Sequence, residues 1–144
     1  MIVRPMELKD LDAVLALERD SFHEPWTEQH FRYELNENPY GFTFIAEQEG
    51  IILGFINFWI MFEQATINQI AVVPKFRHKG IGATLIIDAL DRMKKAGVSQ
   101  INLEVRVSNK IAQDFYQKFE FKEALKKSRY YHDGEDALLM VRAL

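Results

Sequence analysis

The sequence predicts a mixed α/β fold of the α+β kind. Apolar residues recur at helical spacing in four segments, and they alternate or run uninterrupted in the strand-like segments between them. Helices alternate with strands only in the second half of the chain, which favours a mixed sheet over a regular doubly wound one. No repeat or linker divides the 144 residues, so we expect one domain over residues 1–144.

The first quarter of the chain predicts a short strand and two helices. Residues 2–4 form the strand, and Thr27 is expected to cap the second helix. The second helix carries Phe31, Tyr33 and Leu35. The first helix is expected to bury one stripe, formed by Leu8, Leu11, Val14, Leu15 and Leu17.

Three strands are predicted next, at residues 42–48, 51–62 and 65–74. Residues 47–50, Glu-Gln-Glu-Gly in composition and ending in Gly50, are typical of a hairpin turn between the first two. The middle strand is apolar on both faces, so we expect it at the centre of the sheet and covered on both sides.

The second half predicts a helix at residues 81–97, a strand at 99–108, a helix at 109–119 and a last strand at 137–143. Gly97 is the expected C-cap of the first of these helices. Its apolar stripe consists of Leu85, Ile86, Ala89, Leu90 and Met93.

Composition excludes several classes of function. The chain has no cysteine, which excludes a disulfide scaffold, thiolate-bound zinc and a cysteine nucleophile. The net charge of −3 argues against direct nucleic-acid binding. Neither a signal peptide nor a membrane anchor is apparent, so we expect a cytoplasmic protein. The histidines show no metal-ligand spacing and predict no metal site: His23, His30, His78 and His132.

A basic loop before the third helix predicts an anion site. Pro74 is followed by Lys75, Arg77 and Lys79, and then by Gly80-Ile81-Gly82 at the helix start. Free N–H groups at a helix N-terminus bind phosphates, and glycine allows close approach. The nucleotide-loop patterns fail here, since a third glycine and a Ser or Thr after the lysine are both missing. Solvated lysines beside a simple turn are the alternative interpretation.

The ordered set of motifs resembles the GNAT N-acetyltransferase superfamily. Residues 77–82 are similar to its acetyl-CoA pyrophosphate loop, and the preceding 68–74 to its bulged strand. Further similarity lies at 24–27, 103–121 and 129–140, within the branch that acetylates the N-terminal alanine of a small-subunit ribosomal protein. The resemblance implies a mixed, mostly antiparallel sheet flanked by helices, with a splayed strand pair that forms the acetyl-CoA cleft. It also implies acetyl transfer from acetyl-CoA, without a metal, to a protein N-terminal α-amine.

The resemblance assigns two catalytic roles. Glu104 matches the proton acceptor, and Tyr116 matches the tyrosine that protonates the departing sulfur. The residues alone favour structural roles: Glu104 as an exposed strand glutamate paired with a neighbour such as Arg106, and Tyr116 as a core-edge aromatic. Deprotonating a lysine at neutral pH costs about 3.5 kcal/mol more than deprotonating an α-amine, so a single carboxylate favours the α-amine.

Cofactor and substrate contacts follow from the same resemblance. The expected cofactor-binding residues are Ile70, Ala71, Val72, Arg77, His78, Lys79, Gly80, Ile81, Gly82, Ala83 and Asn109. The expected substrate-binding residues are Trp26, Tyr130 and Tyr131, flanked by Pro25, Thr27, His132 and Asp133. Ala71 also suits an ordinary buried strand, Asn109 a helix N-cap and Trp26 a hydrophobic staple. Glu34 and Glu37 are either solvated charges on the helix surface or acidic residues that attract a basic substrate tail.

One position departs from the family pattern. Glu120 stands before Phe121 where the family has a glycine in a left-handed turn, so the turn is expected to be strained or rebuilt.

Two rival functions stay open. One is acetylation of a small amine or a lysine, and the other is a non-catalytic acyl-CoA-binding module.

Overall fold

The computed structural model describes all residues from Met1 to Leu144. Its strands are β1 (Ile2–Pro5), β2 (Gly41–Gln48), β3 (Ile51–Met61), β4 (Gln64–Val72), β5 (Gln100–Arg106), β6 (Lys122–Lys127) and β7 (Ala137–Ala143). Its helices are α1 (Leu11–Ser21), α2 (Glu28–Asn36), α3 (Ile81–Lys95) and α4 (Lys110–Lys118), with short 3₁₀ helices at Leu8–Asp10 and Pro74–Phe76. No helix has the length and apolar character needed to cross a bilayer.

The seven strands form one mixed sheet in the order β1-β2-β3-β4-β5-β7-β6. β4 and β5 are parallel, and every other neighbouring pair is antiparallel. Glu49 and Gly50 between β2 and β3 have φ values of 52° and 78°, as a type I′ hairpin turn requires. The predicted hairpin and mixed sheet are both confirmed.

β3 lies inside the sheet and separates two hydrophobic cores. Its residues from Leu53 to Phe58 are all buried, and successive side chains point to opposite faces. Phe55 packs in the core under α1 and α2, whereas Ile56 and Phe58 pack in the larger core under α3 and α4. The prediction of a central strand covered on both sides is therefore confirmed.

The first helix begins later than its apolar pattern predicts. Leu8 lies in the 3₁₀ helix and is 47% exposed, so its assignment to the buried stripe is wrong. Asp10 at this junction is held by the guanidinium of Arg4 through two bonds of 2.8 Å and accepts from the N–H of Glu7 at 2.8 Å. These bonds fix a tight turn, and the α-helix starts after it, at Leu11.

β6 is the element that the sequence pattern does not predict. Its six residues, Lys-Glu-Ala-Leu-Lys-Lys, are nearly all exposed and show no apolar alternation. The strand lies at the sheet edge and pairs only with β7, a position where lysines discourage further strand pairing. Its place is therefore fixed by β7 and not by a buried face of its own.

The sheet opens between β4 and β5. The two strands pair only from Gln64↔Gln100 to Ile67↔Leu103. Asn68 follows at a register shift against β3, where Asn57 faces Gln69 and Phe58 faces Ile67. Such a bulge bends the strand, so the end of β4 leaves β5 and continues along β3 alone. The splayed pair implied by the family resemblance is present.

Candidate active site

A cleft lies between the separated ends of β4 and β5. Ile70, Ala71 and Val72 pair with β3 on one side and have no strand partner on the β5 side. Gly54 of β3 makes the close packing here possible, because a Cβ at this position would lie 2.6 Å from the carbonyl oxygen of Ala71. An isolated glycine in an apolar strand was the sequence signal for this approach.

The predicted anion loop leads from β4 into α3. His78 and Gly80 adopt left-handed conformations, with φ of 64° and 83°. The backbone N–H groups from His78 to Ala83 donate to no group of the protein, and Thr84 is the first to bond back, to Gly80 at 3.0 Å. A run of free donors at the start of a 15-residue helix fits a phosphate group.

The side chains of this loop are arranged around its backbone. Arg77 donates from Nε to the carbonyl oxygen of Val72 at 3.1 Å and so ties the loop to the end of β4. The ammonium groups of Lys75 and Lys79 lie 5.1 and 5.8 Å from the centre of the Phe76 ring. The loop is therefore basic at its rim and bound to the cleft strand at its base.

Gly82 brings the loop, the cleft strand and α4 together. A Cβ there would lie 3.3 Å from the Phe115 ring of α4 and 3.8 Å from the Val72 side chain. A side chain at this position would have to displace the Phe115 ring by a few tenths of an ångström, so the glycine allows α3 and α4 to pack closely. The start of α3 therefore lies close to Val72 at the end of β4.

Two polar residues fix α4 beside β5. Asn109 caps the helix, since its Oδ1 accepts from the N–H of Ala112 at 3.1 Å, so the N-cap interpretation of this residue is confirmed. Gln113 is buried and donates from Nε2 to the carbonyl oxygens of Arg106 and Val107, both at 3.0 Å. Sequence reasoning missed Gln113, because a glutamine inside an amphipathic helix carries no local signal of a distant partner.

Glu104 is the first residue of β5 beyond its last pair with β4. Its side chain is 23% exposed, and Oε1 accepts from Nζ of Lys127 at 3.1 Å. Oε2 is buried without a hydrogen-bond partner. The expected alternative of a Glu104–Arg106 pair is wrong, because the guanidinium of Arg106 is bound by three other carboxylates, those of Glu24, Asp133 and Glu135.

Tyr116 lies on the other face of the sheet from Glu104. It is 7% exposed and belongs to the same core as Leu103 and Val105, whose side chains alternate with that of Glu104. Phe115 and Phe121 pack edge-on against its ring. Burial raises the pKa of the Tyr116 phenol well above its ordinary value, so the hydroxyl stays protonated at neutral pH. Glu104 and Tyr116 therefore lie on opposite sides of the sheet.

Tyr130 and Tyr131 lie on the Glu104 side. Interaction of the Tyr130 hydroxyl with the Glu104 carboxylate, followed by burial, raises the pKa of Tyr130 to about 12. Burial raises the pKa of Tyr131 to about 12, and the Arg106 guanidinium lies 4.1 Å from the centre of its ring. Both phenols are thus neutral hydrogen-bond donors at physiological pH.

The loop between α1 and α2 reaches the same region. The backbone N–H of His132 donates to Oε1 of Glu24 at 3.1 Å, which joins this loop to the segment between β6 and β7. Trp26 packs edge-on against Phe31, four positions into α2, so its hydrophobic-staple role is confirmed. The other side of its indole stacks on His30 at 3.8 Å.

Glu34 is neither a solvated helix charge nor a surface attraction for a substrate tail, and both expectations are wrong. It is 3% exposed and accepts from three side chains, those of Asn38 at 2.8 Å, Asn57 at 2.9 Å and Trp59 at 2.9 Å. The carboxylate joins α2 to β3, which a helix pattern does not reveal. No group of three or more His, Asp or Glu side chains is arranged to hold a metal ion.

A sheet that opens beside a helix start with free N–H groups fits the class that the sequence resemblance implies, an acyl-CoA-dependent transferase. The model of the acetyltransferase (GNAT) family matches residues 11–121. The chain belongs to this family and is an N-acetyltransferase that uses acetyl-CoA.

Curated relatives match over nearly the whole chain. A candidate ribosomal protein bS18-alanine N-acetyltransferase of Bacillus subtilis (strain 168) is 41% identical over 139 residues, covering 96% of this chain and 92% of the relative. The ribosomal protein bS18-alanine N-acetyltransferase of Escherichia coli (strain K12) is 33% identical over 141 residues, covering 96% and 94%. Among solved structures, the ribosomal-protein-S18-alanine N-acetyltransferase from Escherichia coli superposes with a TM-score of 0.89 at 31% identity, covering 99% of this chain and 92% of that one.

Proposed function

We propose that the protein transfers the acetyl group of acetyl-CoA to the α-amine of a protein N-terminus, with the N-terminal alanine of ribosomal protein bS18 as the favoured substrate. The names of the relatives support the substrate. One observation supports the chemistry: Glu104 is the first residue of β5 beyond its last pair with β4, and its Oε2 is buried without a hydrogen-bond partner. This substrate places the reaction in the cytoplasm, where ribosomes are assembled.

Acetyl-CoA would supply the acetyl thioester, and the chain offers it two sets of contacts. The N–H groups from His78 to Ala83 would bind the pyrophosphate, with Arg77, Lys79 and Asn109 close by. Backbone groups of Ile70, Ala71 and Val72 have no partner strand on the β5 side and would pair with the pantetheine arm. A backbone N–H of this segment is well placed to donate to the thioester oxygen, where negative charge develops.

Glu104 takes a proton from the amine in this proposal. Its unpartnered Oε2 is the basic atom. An α-amine has a pKa of about 7.7–8.0 and a lysine one of about 10.4, so one carboxylate removes the α-amine proton at a lower cost. This difference favours N-terminal amines over lysine side chains.

Tyr116 returns a proton to the sulfur of the leaving thiolate. With ordinary pKa values, full transfer from a phenol to a thiolate is uphill by roughly 2 kcal/mol. Burial raises the pKa of Tyr116 and increases this cost, so the phenol donates only as charge develops on sulfur. Tyr130 and Tyr131 lie near Glu104, and together with Trp26 they would contact the first residues of the peptide.

The test is an acetyl-transfer assay with labelled acetyl-CoA, in which mass spectrometry locates the label. A peptide beginning with alanine and copied from the bS18 N-terminus is compared with its N-terminally blocked form, with a lysine peptide and with polyamines. We expect label on the free α-amine alone. Turnover only with small amines or lysine would replace the proposed substrate, and no turnover with any amine would favour a non-catalytic module.

Matched variants test the two roles. Glu104→Gln and Tyr116→Phe should each lower kcat by about 10²-fold or more, the usual contribution of a general acid or base. The controls are Glu123→Gln on the exposed edge strand and Tyr33→Phe, whose side chain is 48% exposed. An unchanged kcat for both site variants would refute the assigned roles.

A further inference from the structure

Lys127 and Glu104 meet across the strand that separates them. Lys127 faces Ala137 of β7, and Glu104 faces Leu139 of β7 from the other side. Ala137 and Leu139 are two residues apart, so both side chains lie on the same face of the sheet. The backbones of β6 and β5 are about 10 Å apart, and the long lysine side chain bridges this space to reach Oε1 at 3.1 Å.

Lys127 is the cation that forms an ion pair with the Glu104 carboxylate. Arg106, the other cation on the same face of β5, is bound to Asp133 at 2.7 Å and to Glu135 at 3.0 Å. The ammonium of Lys127 also lies 5.3 Å from the centre of the Tyr130 ring, which packs beside the same carboxylate. The pair is thus enclosed by an aromatic side chain of the region expected to contact the peptide.

The contact leaves the two oxygens of Glu104 unequal. Oε1 is bound by the ammonium, Oε2 is buried and accepts no hydrogen bond, and the Tyr130 hydroxyl lies beside the carboxylate. A carboxylate without a hydrogen-bonded partner is free to rotate about its side-chain bonds, whereas a charge-assisted bond fixes its orientation. We propose that Lys127 is a positioning residue that fixes the orientation of Glu104 through Oε1 and leaves Oε2 to accept the proton of the substrate amine. The inference rests on the proposed role of Glu104 as the base.

Lys126 provides a matched control. It precedes Lys127 on β6, faces Leu138 and is exposed on the opposite face, with no ion pair. Lysine-to-methionine changes at the two positions remove the same charge from the same edge strand. Because β6 is largely exposed, both variants should fold, which thermal melts followed by circular dichroism will verify.

The experiment measures kcat and the peptide KM for Lys127→Met, Lys127→Arg and Lys126→Met. We expect Lys127→Met to lower kcat about tenfold without raising the peptide KM, since a like charge near the substrate ammonium is also removed. Lys127→Arg keeps the cation and should restore kcat to within about threefold of the wild type. Lys126→Met should leave both constants unchanged. Equal losses for Lys126→Met and Lys127→Met, or no rescue by arginine, would overturn the proposal.

A double-mutant cycle separates positioning from a general structural effect. In a Glu104→Gln background, Lys127→Met should have no further effect on kcat, because the carboxylate it positions is gone. An equal tenfold loss in both backgrounds would overturn the positioning role while the proposed function stands. If Glu104→Gln alone retains full kcat, the assigned role of Glu104 fails, and the Lys127 proposal fails with it.

Discussion

Glu18 of α1 and Gln69 of β4 are joined in the interior by a 2.7 Å hydrogen bond from Nε2 of Gln69 to Oε2 of Glu18. The same oxygen accepts from the backbone N–H of Trp26 at 2.8 Å. Oε1 of each residue is buried without a partner. One carboxyl group thus connects the loop that carries Trp26 to the strand that forms the cleft.

Glu18 makes stability depend on pH. Burial raises the pKa of Glu18 above its unfolded value of about 4.3. The folded state therefore binds the proton more tightly, and this stabilisation is full below the unfolded value and is lost as pH rises through the raised folded value. We expect Glu18→Gln to match the wild type near pH 4 and to become relatively more stable toward pH 8, as measured by urea unfolding across this range. A stability difference that is constant with pH would contradict a raised value.

Removing the group altogether has another outcome. Glu18→Ala leaves the donors of Trp26 and Gln69 unpaired in the interior, and we expect it to lower the free energy of unfolding by about 3 kcal/mol. The same urea experiment at pH 7 measures this loss. Glu28→Ala on the exposed start of α2 is the control and should change stability by less than about 0.5 kcal/mol.

Gln113→Leu should loosen α4 from β5. The change removes two hydrogen bonds and leaves the carbonyl oxygens of Arg106 and Val107 without those donors, at a cost of about 2 kcal/mol. Because the same contact sets the position of Tyr116 relative to the cleft, kcat should also fall. Gln117→Leu, at an exposed position one turn further along the helix, should change neither quantity. Equal effects of the two substitutions would show that the contact is unimportant.

The sequence predicted most of the fold because its strands and helices carry strong apolar periodicity. β3 and α3 are the clearest cases, and their buried faces agree with the structure. β6 could not be predicted, because its lysines lie at the exposed edge of the sheet and it has no buried apolar face. The prediction that Leu8 is buried on α1 was wrong for a related reason. The apolar spacing continues across a turn, and the contact between Arg4 and Asp10, outside the helix, determines that turn.

The residues of the candidate site also fall into two groups, those that the sequence predicted and those that it did not. Glu104, Tyr116 and the loop at residues 77–83 were found because local motifs mark them, and their roles stay predictions. Sequence reasoning missed Lys127, Gln113 and Glu18. Their roles come from hydrogen bonds to residues 23, 7 and 51 positions away in the chain. Local patterns encode burial and helix ends, whereas a hydrogen bond between distant elements exists only once the strands have paired.

Glu120→Gly should stabilise the protein. Glu120 has a φ of 69°, so the left-handed turn expected of a family glycine is kept and is strained. Relief of this strain is worth about 1–2 kcal/mol. The substitution also removes the exposed ion pair with Arg142 at 3.1 Å, which contributes about 0–1 kcal/mol. The net gain should be about 1 kcal/mol and raise Tm by a few degrees in a calorimetric scan. Glu123→Gly within β6 should lower Tm, and a similar loss for Glu120→Gly would contradict the strain.

Gly82→Ala tests whether the loop binds the cofactor. The added methyl group would lie 3.3 Å from the Phe115 ring and 3.8 Å from Val72, so it crowds the contact between the start of α3, α4 and the end of β4. We expect the KM for acetyl-CoA to rise roughly tenfold, since the free N–H groups and the cleft then lose their alignment. Gly97→Ala is the matched control: its φ of 86° makes alanine strained, but no atom lies within 4 Å of the new methyl group. The control should therefore lower Tm without changing that KM, whereas Gly82→Ala should change the KM with little loss of Tm. An unchanged acetyl-CoA KM in Gly82→Ala would place the cofactor elsewhere.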